Sequence, residues 1–163
     1  MSDRALLVGE TSTVTISFSE AVTAFANEDI TLANGTLSTI SSADSGVTWT
    51  GTFTPTDDIE DATNVITVGT TLTDTAGNAP LASASTSNYT IDTKEPTVLS
   101  VTMSDSALKV GETSTLTIAC CEAVTAVGSA DITLANGILS TVSSADSGVT
   151  WTGTFTPTDD IED

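Results

Sequence analysis

Hydrophobic and polar residues alternate along much of the chain, which is the pattern of half-buried β-strands. In residues 11–18, Val14, Ile16 and Phe18 would share one face, and the Thr and Ser residues between them would share the other. Residues 47–54 (VTWTGTFT) alternate in the same way and place their aromatic residues inward. Both segments predict strands that cover a core with one face.

Further short segments with the same character follow along the chain. They are residues 29–33, 36–41, 63–68, 87–92 and 96–103. Asn34-Gly35, between the first two of these, predicts the tight turn of a hairpin with a positive φ at both residues. No segment shows helical spacing. About seven strands in about 100 residues, separated by turn signals, predict an all-β fold: an antiparallel sandwich of two sheets.

The sequence repeats itself at a domain-sized period. The segment SDRALLVGETSTVTISFSEAVTA, from Ser2, returns as SDSALKVGETSTLTIACCEAVTA from Ser104, an offset of 102 residues, and 49 of the 61 aligned positions are identical. A parallel β-solenoid would need a much shorter period, so the repeat indicates a tandem array of domains. We expect one domain at 1–93, without its first strand, and an incomplete one at 94–163, without its last two strands. The chain then reads as a piece of a longer array.

Charge narrows the classes of function. The chain has 22 Asp and Glu residues against 3 Lys and Arg and no histidine, giving a formal net charge of −19. This charge repels nucleic-acid phosphates and anionic lipid, and no apolar run reaches the ~18 residues of a spanning helix. Without histidine, Ser-His-Asp and Cys-His catalysis are excluded. We therefore expect no enzyme, no nucleic-acid binding and no membrane insertion.

The acidic residues fall into two groups of loops. If successive strands run antiparallel, loops alternate between the ends of the sandwich. One end then carries Glu20, Glu28, Asp29, Asp44, Asp74 and Asn78, and the other carries Asp3, Asp57, Asp58, Glu60, Asp61, Asp92 and Glu95. In an array the second end faces the first end of the next repeat, which here carries Glu122, Asp131 and Asp146.

So many carboxylates at one junction would repel each other unless a cation lies among them. Calcium takes roughly six to eight oxygen ligands in flexible geometry, so the sequence predicts calcium at the junctions and their loops. The alternative interpretation is a set of solvated acidic turns, because Asp is common in turns and the calcium-loop patterns DxDxDG and GGxGxD are absent.

Several segments together resemble a known family. TSTVTISFSEAV, EDITLANGTL, WTGTFTPT, LTDTAGN and IDTKEPTV are similar to the bacterial Ig-like repeats of giant RTX-type and biofilm-associated surface adhesins. The resemblance implies an Ig-like β-sandwich extender domain of a secreted cell-surface protein, repeated in series and rigidified by calcium at the linkers. It points to Asp92 at the junction, to Glu20 and Glu122, and to Asp74.

The sequence thus favours a spacer that projects a distal adhesive domain, with neighbouring repeats as its partners. Two other functions stay open: a subunit of an extracellular filament or surface layer, which would associate with other copies of itself, and an Ig-like module that binds glycans or proteins. Cys120 and Cys121 align with Phe18 and Ser19, so we expect the first to point into the core and the second outward.

Overall fold

The computed structural model describes residues 1–80 and 82–159, and these form an all-β structure in two compact units, Met1–Glu95 and Pro96–Asp163. Residues 160–163, predicted to belong to the second domain, lie outside the described residues. The first unit contains β1 (Ala5–Leu7), β2 (Ser12–Ser17), β3 (Val22–Thr23), β4 (Ile30–Thr31), β5 (Gly35–Leu37), β6 (Ser41–Ser42), β7 (Thr48–Pro55), β8 (Glu60–Asn64), β9 (Thr67–Val68), β10 (Thr73–Asp74), β11 (Ala84–Ser85) and β12 (Tyr89–Asp92). The second contains β13 (Val98–Met103), β14 (Ser114–Cys120), β15 (Gly137–Leu139), β16 (Ser143–Ser144) and β17 (Thr150–Pro157). Short 3-10 turns at Asn27–Asp29 and Ser129–Asp131 interrupt the strands.

The first unit is a predominantly antiparallel β-sandwich, as the alternating pattern predicts. One sheet has the order β2-β7-β5, with β6 also paired to β7. Two three-stranded sheets, β1-β12-β8 and β11-β9-β4, lie on the other side of the core. Strand β10 pairs with β3. Strands β8 and β9 are consecutive pieces of the chain, so the predicted strand 63–68 is present with a break, and the predicted strand 87–92 is present as β12.

The core lies between these sheets and contains residues from both sides. Leu6, Val14, Phe53, Tyr89 and Ile91 are almost completely buried, and the Tyr89 ring meets the Phe53 ring edge-on at 5.5 Å between centroids. The inward prediction for Phe53 is therefore confirmed.

A smaller apolar cluster lies beside this core. It contains Val22, Phe25, Ile40 and Leu72, with Trp49 packed against it. The rings of Phe25 and Trp49 meet edge-on at 5.5 Å, and the indole N–H of Trp49 donates to the carbonyl of Gly46 at 3.1 Å. Trp49 is therefore a packing residue, as its inward position predicts.

Strand β1 has no counterpart in the sequence prediction. It pairs in parallel with β12, placing Leu6 opposite Ile91 and Leu7 opposite Asp92. The expectation that successive strands are all antiparallel is therefore incomplete. The pairing buries Leu6, which is 1% exposed, between strands that lie far apart in sequence.

The hairpin predicted at Asn34-Gly35 is wrong. Strand β4 pairs with β9, whereas β5 pairs with β7 in the other sheet, so the chain crosses between sheets here. Only Asn34 has a positive φ, at 57°. Gly35 is required for close approach, because a Cβ there would lie 2.3 Å from the Phe53 ring and 2.6 Å from the carbonyl oxygen of Thr54.

The second unit has one sheet among its described residues, in the order β13-β14-β17-β15, with β16 beside β17. Leu116, Ile118 and Cys120 are buried on one of its faces. Cys120 is buried and Cys121 is exposed, so the predicted orientations of both cysteines are confirmed. The predicted strand at 96–103 is present as β13, paired antiparallel with β14.

Candidate functional site

The loop after β10 brings together three of the predicted acidic-end residues. Glu20, Asp74 and Asn78 line one small cavity of about 150 Å³ with Phe18 and Pro80. They meet because β10 pairs with β3, placing Asp74 opposite Val22. The prediction that these loops share one end of the sandwich is confirmed for this set.

The Asp74 carboxylate is occupied by hydrogen bonds from its own loop. It accepts from the backbone N–H of Ala76 at 2.8 Å, and from the backbone N–H and side-chain amide of Asn78 at 2.7 and 2.8 Å. These donors, the Asn78 side chain foremost, lower the pKa of Asp74 below its usual 3.8. The motif DTAGN thus folds as a turn closed around a carboxylate, and only Gly77, with a φ of 90°, takes the left-handed conformation it requires.

The loop SSADSG shows the same use of an acidic residue in both units. In the first, Asp44 accepts from the hydroxyl of Ser42 at 2.8 Å and from the backbone N–H of Thr48 at 2.7 Å. Asp146 makes the corresponding bonds to Ser144 and Thr150, both at 2.8 Å. Backbone N–H donation, from Thr48 and Thr150 first, lowers the pKa of both carboxyl groups. The local sequence therefore determines this loop.

Asp29 and Asp131 stabilise the two 3-10 turns. Asp29 accepts from the backbone N–H of Ala26 at 3.1 Å and from the hydroxyl of Thr71, and Asp131 accepts from the backbone N–H of Gly128 at 2.9 Å. Both were predicted as calcium ligands, and in the structure both hold the ends of turns.

At the other end of the first unit, the segment TDDIED folds against the linker. Asn34, Asp58, Ile59, Glu60, Asp61 and Lys94 line an open pocket of about 390 Å³. The ammonium of Lys94 lies 3.5 Å from a Glu60 carboxylate oxygen. Asp61 accepts from the side-chain amide of Asn34 at 2.7 Å and from the backbone N–H of Thr63 at 2.9 Å. A cation of the protein itself is therefore present among these carboxylates.

The remaining predicted residues are spread over the surface. Asp57, Asp92 and Glu95 are exposed, and Asp92 lies opposite Glu60 across the β8–β12 pair. In the second unit, Glu122 is half-buried with its carboxylate 3.9 Å from the sulfur of Cys121.

These contacts test whether the acidic residues fit calcium. Calcium needs several free oxygens that converge on one point, whereas the best-placed carboxylates here accept hydrogen bonds from their own loops. Among the described residues of either unit, no group of three or more Asp, Glu or Cys side chains is placed to hold a metal ion. Within the described residues of a single unit, therefore, the predicted residues form no such group.

Sequence reasoning missed a polar network that links the two sheets beside the pocket lined by Asn34, Asp61 and Lys94. The side-chain amide of Asn34 donates to Asp61 and also to Asn64 at 2.9 Å. The amide of the buried Asn64 donates to the Asp61 carbonyl at 3.0 Å. An Asn in a strand pattern and another in a supposed hairpin turn gave no sign that they would meet.

The comparisons with known proteins agree with the fold. The family model described as bacterial Ig-like domain matches residues 1–91 and 92–163, one match for each repeat. No curated protein and no solved structure matches the chain. No helix among the described residues is long and apolar enough to cross a membrane. Because the family model covers both repeats, the chain belongs to the bacterial Ig-like domain family, as two such repeats in tandem.

Proposed function

We propose that the chain is part of the extender of a secreted bacterial surface adhesin, in which repeats in series hold a distal adhesive domain away from the cell. The observation that carries this proposal is the identity of three of the loops in the two repeats. The loops ANG, SSADSG and TPTDDIED are the same in both repeats, whereas some inward positions differ, for example Phe18 in the first repeat and Cys120 in the second. A module that binds a ligand through its loops has little need of many unvaried copies, whereas a spacer needs uniform joints.

Each repeat would add a defined length to the array. A strand of seven or eight residues spans about 25 Å at ~3.3 Å per residue, and the loops at both ends bring one repeat to roughly 40 Å. Domains of this family are typically extracellular and without enzymatic activity, in keeping with a mechanical role.

Calcium is proposed at the joints between repeats, not inside them. The support is electrostatic: a net charge of −19 is penalised by self-repulsion, and exposed carboxylates at Asp57, Asp58, Asp92 and Glu95 stand at the linker end of the first unit. The next repeat in the array would add Glu122 and Asp131 to the same joint. Metal that binds the folded joint stabilises it by mass action.

The test is a calorimetric melt of the chain extended by one completed repeat, in millimolar calcium and in excess chelator. We expect calcium to raise the melting temperature by tens of degrees, magnesium to substitute poorly, and Asp92→Ala or Asp58→Ala to reduce the effect. Asp44→Ala, within a loop that needs no metal, is the matched control: it lowers stability equally with and without calcium. An unchanged melting temperature would leave the acidic residues as a solvated surface.

A filament or surface-layer subunit is the second candidate. The observation that favours it is the apolar exposure of edge strand β13, where Val98, Leu99 and Val101 are 61, 66 and 59% exposed. Such an edge invites pairing with another chain. Sedimentation at increasing concentration separates the two functions, because a spacer stays monomeric and a lateral subunit forms ordered assemblies.

A glycan-binding role has less support. Sugar stacking needs an exposed aromatic face, but Trp49 packs against Phe25, and its counterpart Trp151 donates its indole N–H to the Gly148 carbonyl at 2.9 Å.

A further inference from the structure

A lysine, an asparagine and an aspartate meet in the open pocket at the linker end of the first unit. Lys94, Asn34 and Asp61 all line this pocket of about 390 Å³. They come from three segments that are distant in sequence: the corner before β5, strand β8 and the linker after β12. An amine, a carboxamide and a carboxylate in one place are the groups that an amide exchange between side chains needs, because the amine can act as a nucleophile.

Hydrogen bonds of the backbone hold these segments together. The backbone N–H of Thr56 donates to the Asn34 carbonyl at 3.0 Å, and the Thr56 carbonyl accepts from the Thr93 hydroxyl at 2.8 Å. Thr93 is 3% exposed and also donates its backbone N–H to the Ile59 carbonyl at 2.8 Å. The next residue, Lys94, is therefore anchored through its backbone at the pocket, while its flexible four-carbon side chain can turn.

The Asn34 carboxamide is held through its nitrogen. Its Nδ2 donates to a carboxylate oxygen of Asp61 at 2.7 Å and to the side-chain carbonyl oxygen of Asn64 at 2.9 Å. Asn64 is 3% exposed, so this second acceptor is fixed within the unit. The two bonds orient the carboxamide and place the Asp61 carboxylate against the nitrogen that would leave in an amide exchange. A group that can carry a proton is thus in position where ammonia would depart.

Lys94 has a carboxylate beside it that can take its proton. Its ammonium lies 3.5 Å from a Glu60 carboxylate oxygen, and the two side chains are 49 and 65% exposed. A surface ion pair of this kind holds its partners only weakly, so the lysine side chain can leave Glu60 and turn toward Asn34. Loss of a proton to Glu60 gives the neutral amine, which is the nucleophilic form of lysine.

We propose that Lys94 and Asn34 join spontaneously in an isopeptide bond. The neutral Nζ of Lys94 attacks Cγ of Asn34, the Nζ–Cγ bond forms, the Cγ–Nδ2 bond breaks, and ammonia leaves. Glu60 takes one proton from the ammonium and releases it to the solvent. Asp61 takes the second proton as Nζ attacks and passes it to Nδ2. The reaction needs no oxidant or other reactant, and the shared pocket supplies the proximity that the two groups lack in solution.

The bond would close residues 35–93 into a covalent loop that contains strands β5 to β12. Strand β5 belongs to one sheet and β12 to another on the opposite side of the core, so the bond would link the two sides at the linker end of the unit. A pulling force along the chain could then not extend this loop. The bond itself does not depend on the spacer role, although an extender under load would be strengthened by it.

The test is the intact mass of the purified whole chain, measured by mass spectrometry under denaturing conditions. We expect a mass lower than that of the sequence by one ammonia, and fragment spectra of a proteolytic digest should show Lys94 joined to Asn34. Lys94 is exposed, so Lys94→Arg keeps the fold and should restore the full mass. Lys109→Arg changes the chain's other lysine and is the matched control, which should leave the deficit in place.

The proton path is tested with Asp61→Asn, which keeps the shape of the side chain and should also have the full mass in freshly purified protein. A deficit retained in Asp61→Asn would refute the transfer through Asp61. The proposal as a whole is overturned if the unaltered chain has its full mass. It is equally overturned if Lys94→Arg keeps the deficit, because ring closure of Asn34 onto the backbone nitrogen of Gly35 loses ammonia without any lysine.

Discussion

Tyr89 offers a direct test of how the first unit is packed. Its side chain is 1% exposed, and among the described residues its hydroxyl is the buried side-chain group without a hydrogen-bond partner. Tyr89→Phe removes that oxygen and keeps the ring against Phe53. An unpaired buried hydroxyl costs about 1–3 kcal/mol, so the variant should stabilise the first unit by about 1–2 kcal/mol.

The assay is urea unfolding in a Trp151→Phe background, where the fluorescence of Trp49 reports on the first unit alone. For a domain of this size, each kcal/mol should also raise the melting temperature by about 4–8 °C. Tyr89→Leu, which loses the ring as well, is the control and should destabilise the unit. A loss of about 1 kcal/mol or more in Tyr89→Phe would refute the reasoning, because it would show that the hydroxyl has a partner.

The same residue predicts an alkaline limit to stability. Burial first, and then the negative charge of Asp61, raises the pKa of Tyr89 above its usual 10.0. Tyr89 therefore ionises at a lower pH in the unfolded chain than in the folded one. The stability that the folded state gains from the protonated Tyr89 is complete below pH 10 and is lost as the pH rises through the folded-state pKa. Tyr89 is the one tyrosine in the sequence, so tyrosinate absorbance follows it alone. Tyr89→Phe should remove this loss.

Three further predictions concern packing and the acidic loops. Phe53→Ala should cost about 3–5 kcal/mol in the urea unfolding of the first unit, because Phe53 is 0% exposed; a cost below about 1 kcal/mol would contradict its place in the core. Gly35→Ala should cost about 1–3 kcal/mol in the same assay, because the added methyl group meets Phe53 and backbone; a neutral variant would contradict that close approach. Because the fold lowers the pKa of Asp74, its ionised carboxylate stabilises the folded first unit at pH values above its usual pKa of 3.8. This stabilisation is lost as the pH falls through the folded-state pKa. The difference between the urea midpoints at neutral and at acidic pH should therefore be smaller in Asp74→Asn than in the unaltered chain. An equal difference in both proteins would contradict this role of the Asp74 charge.

The sequence predicted the parts of the fold that depend on local pattern. Alternation along residues 11–18 and 47–54 identified the long strands β2 and β7, and the offset of 102 residues identified the tandem architecture. Both signals lie in contiguous stretches of chain. The inward position of Cys120 followed from the same alternation, by alignment with Phe18.

The pairings that depend on distant contacts could not be predicted. Strand β1 has three residues without alternation, and its partner β12 lies more than 80 residues away, as the hydrogen bond from Thr90 to Arg4 shows. Asn34-Gly35 carries a hairpin signal, yet the flanking segments find partners in different sheets. Phe53 packs closely against Gly35 at that crossing, and no local pattern encodes this contact.

For the candidate site, the sequence predicted that three residues of the acidic loops would meet, but not how the carboxylates would be hydrogen-bonded. Glu20, Asp74 and Asn78 meet as loop alternation predicts. The donors that occupy Asp74, Asp44 and Asp29 are largely backbone N–H groups, which every sequence contains, so their capture by a carboxylate leaves no distinctive pattern.

The most direct test of the spacer proposal is the length of purified arrays of two, three and four completed repeats, measured by small-angle X-ray scattering in millimolar calcium. The proposal predicts monomers whose maximum dimension grows linearly, by roughly 40 Å per repeat, and grows less per repeat in chelator. A maximum dimension that grows only as the square root of repeat number, or scattering that shows lateral assembly instead of single extended chains, would contradict it.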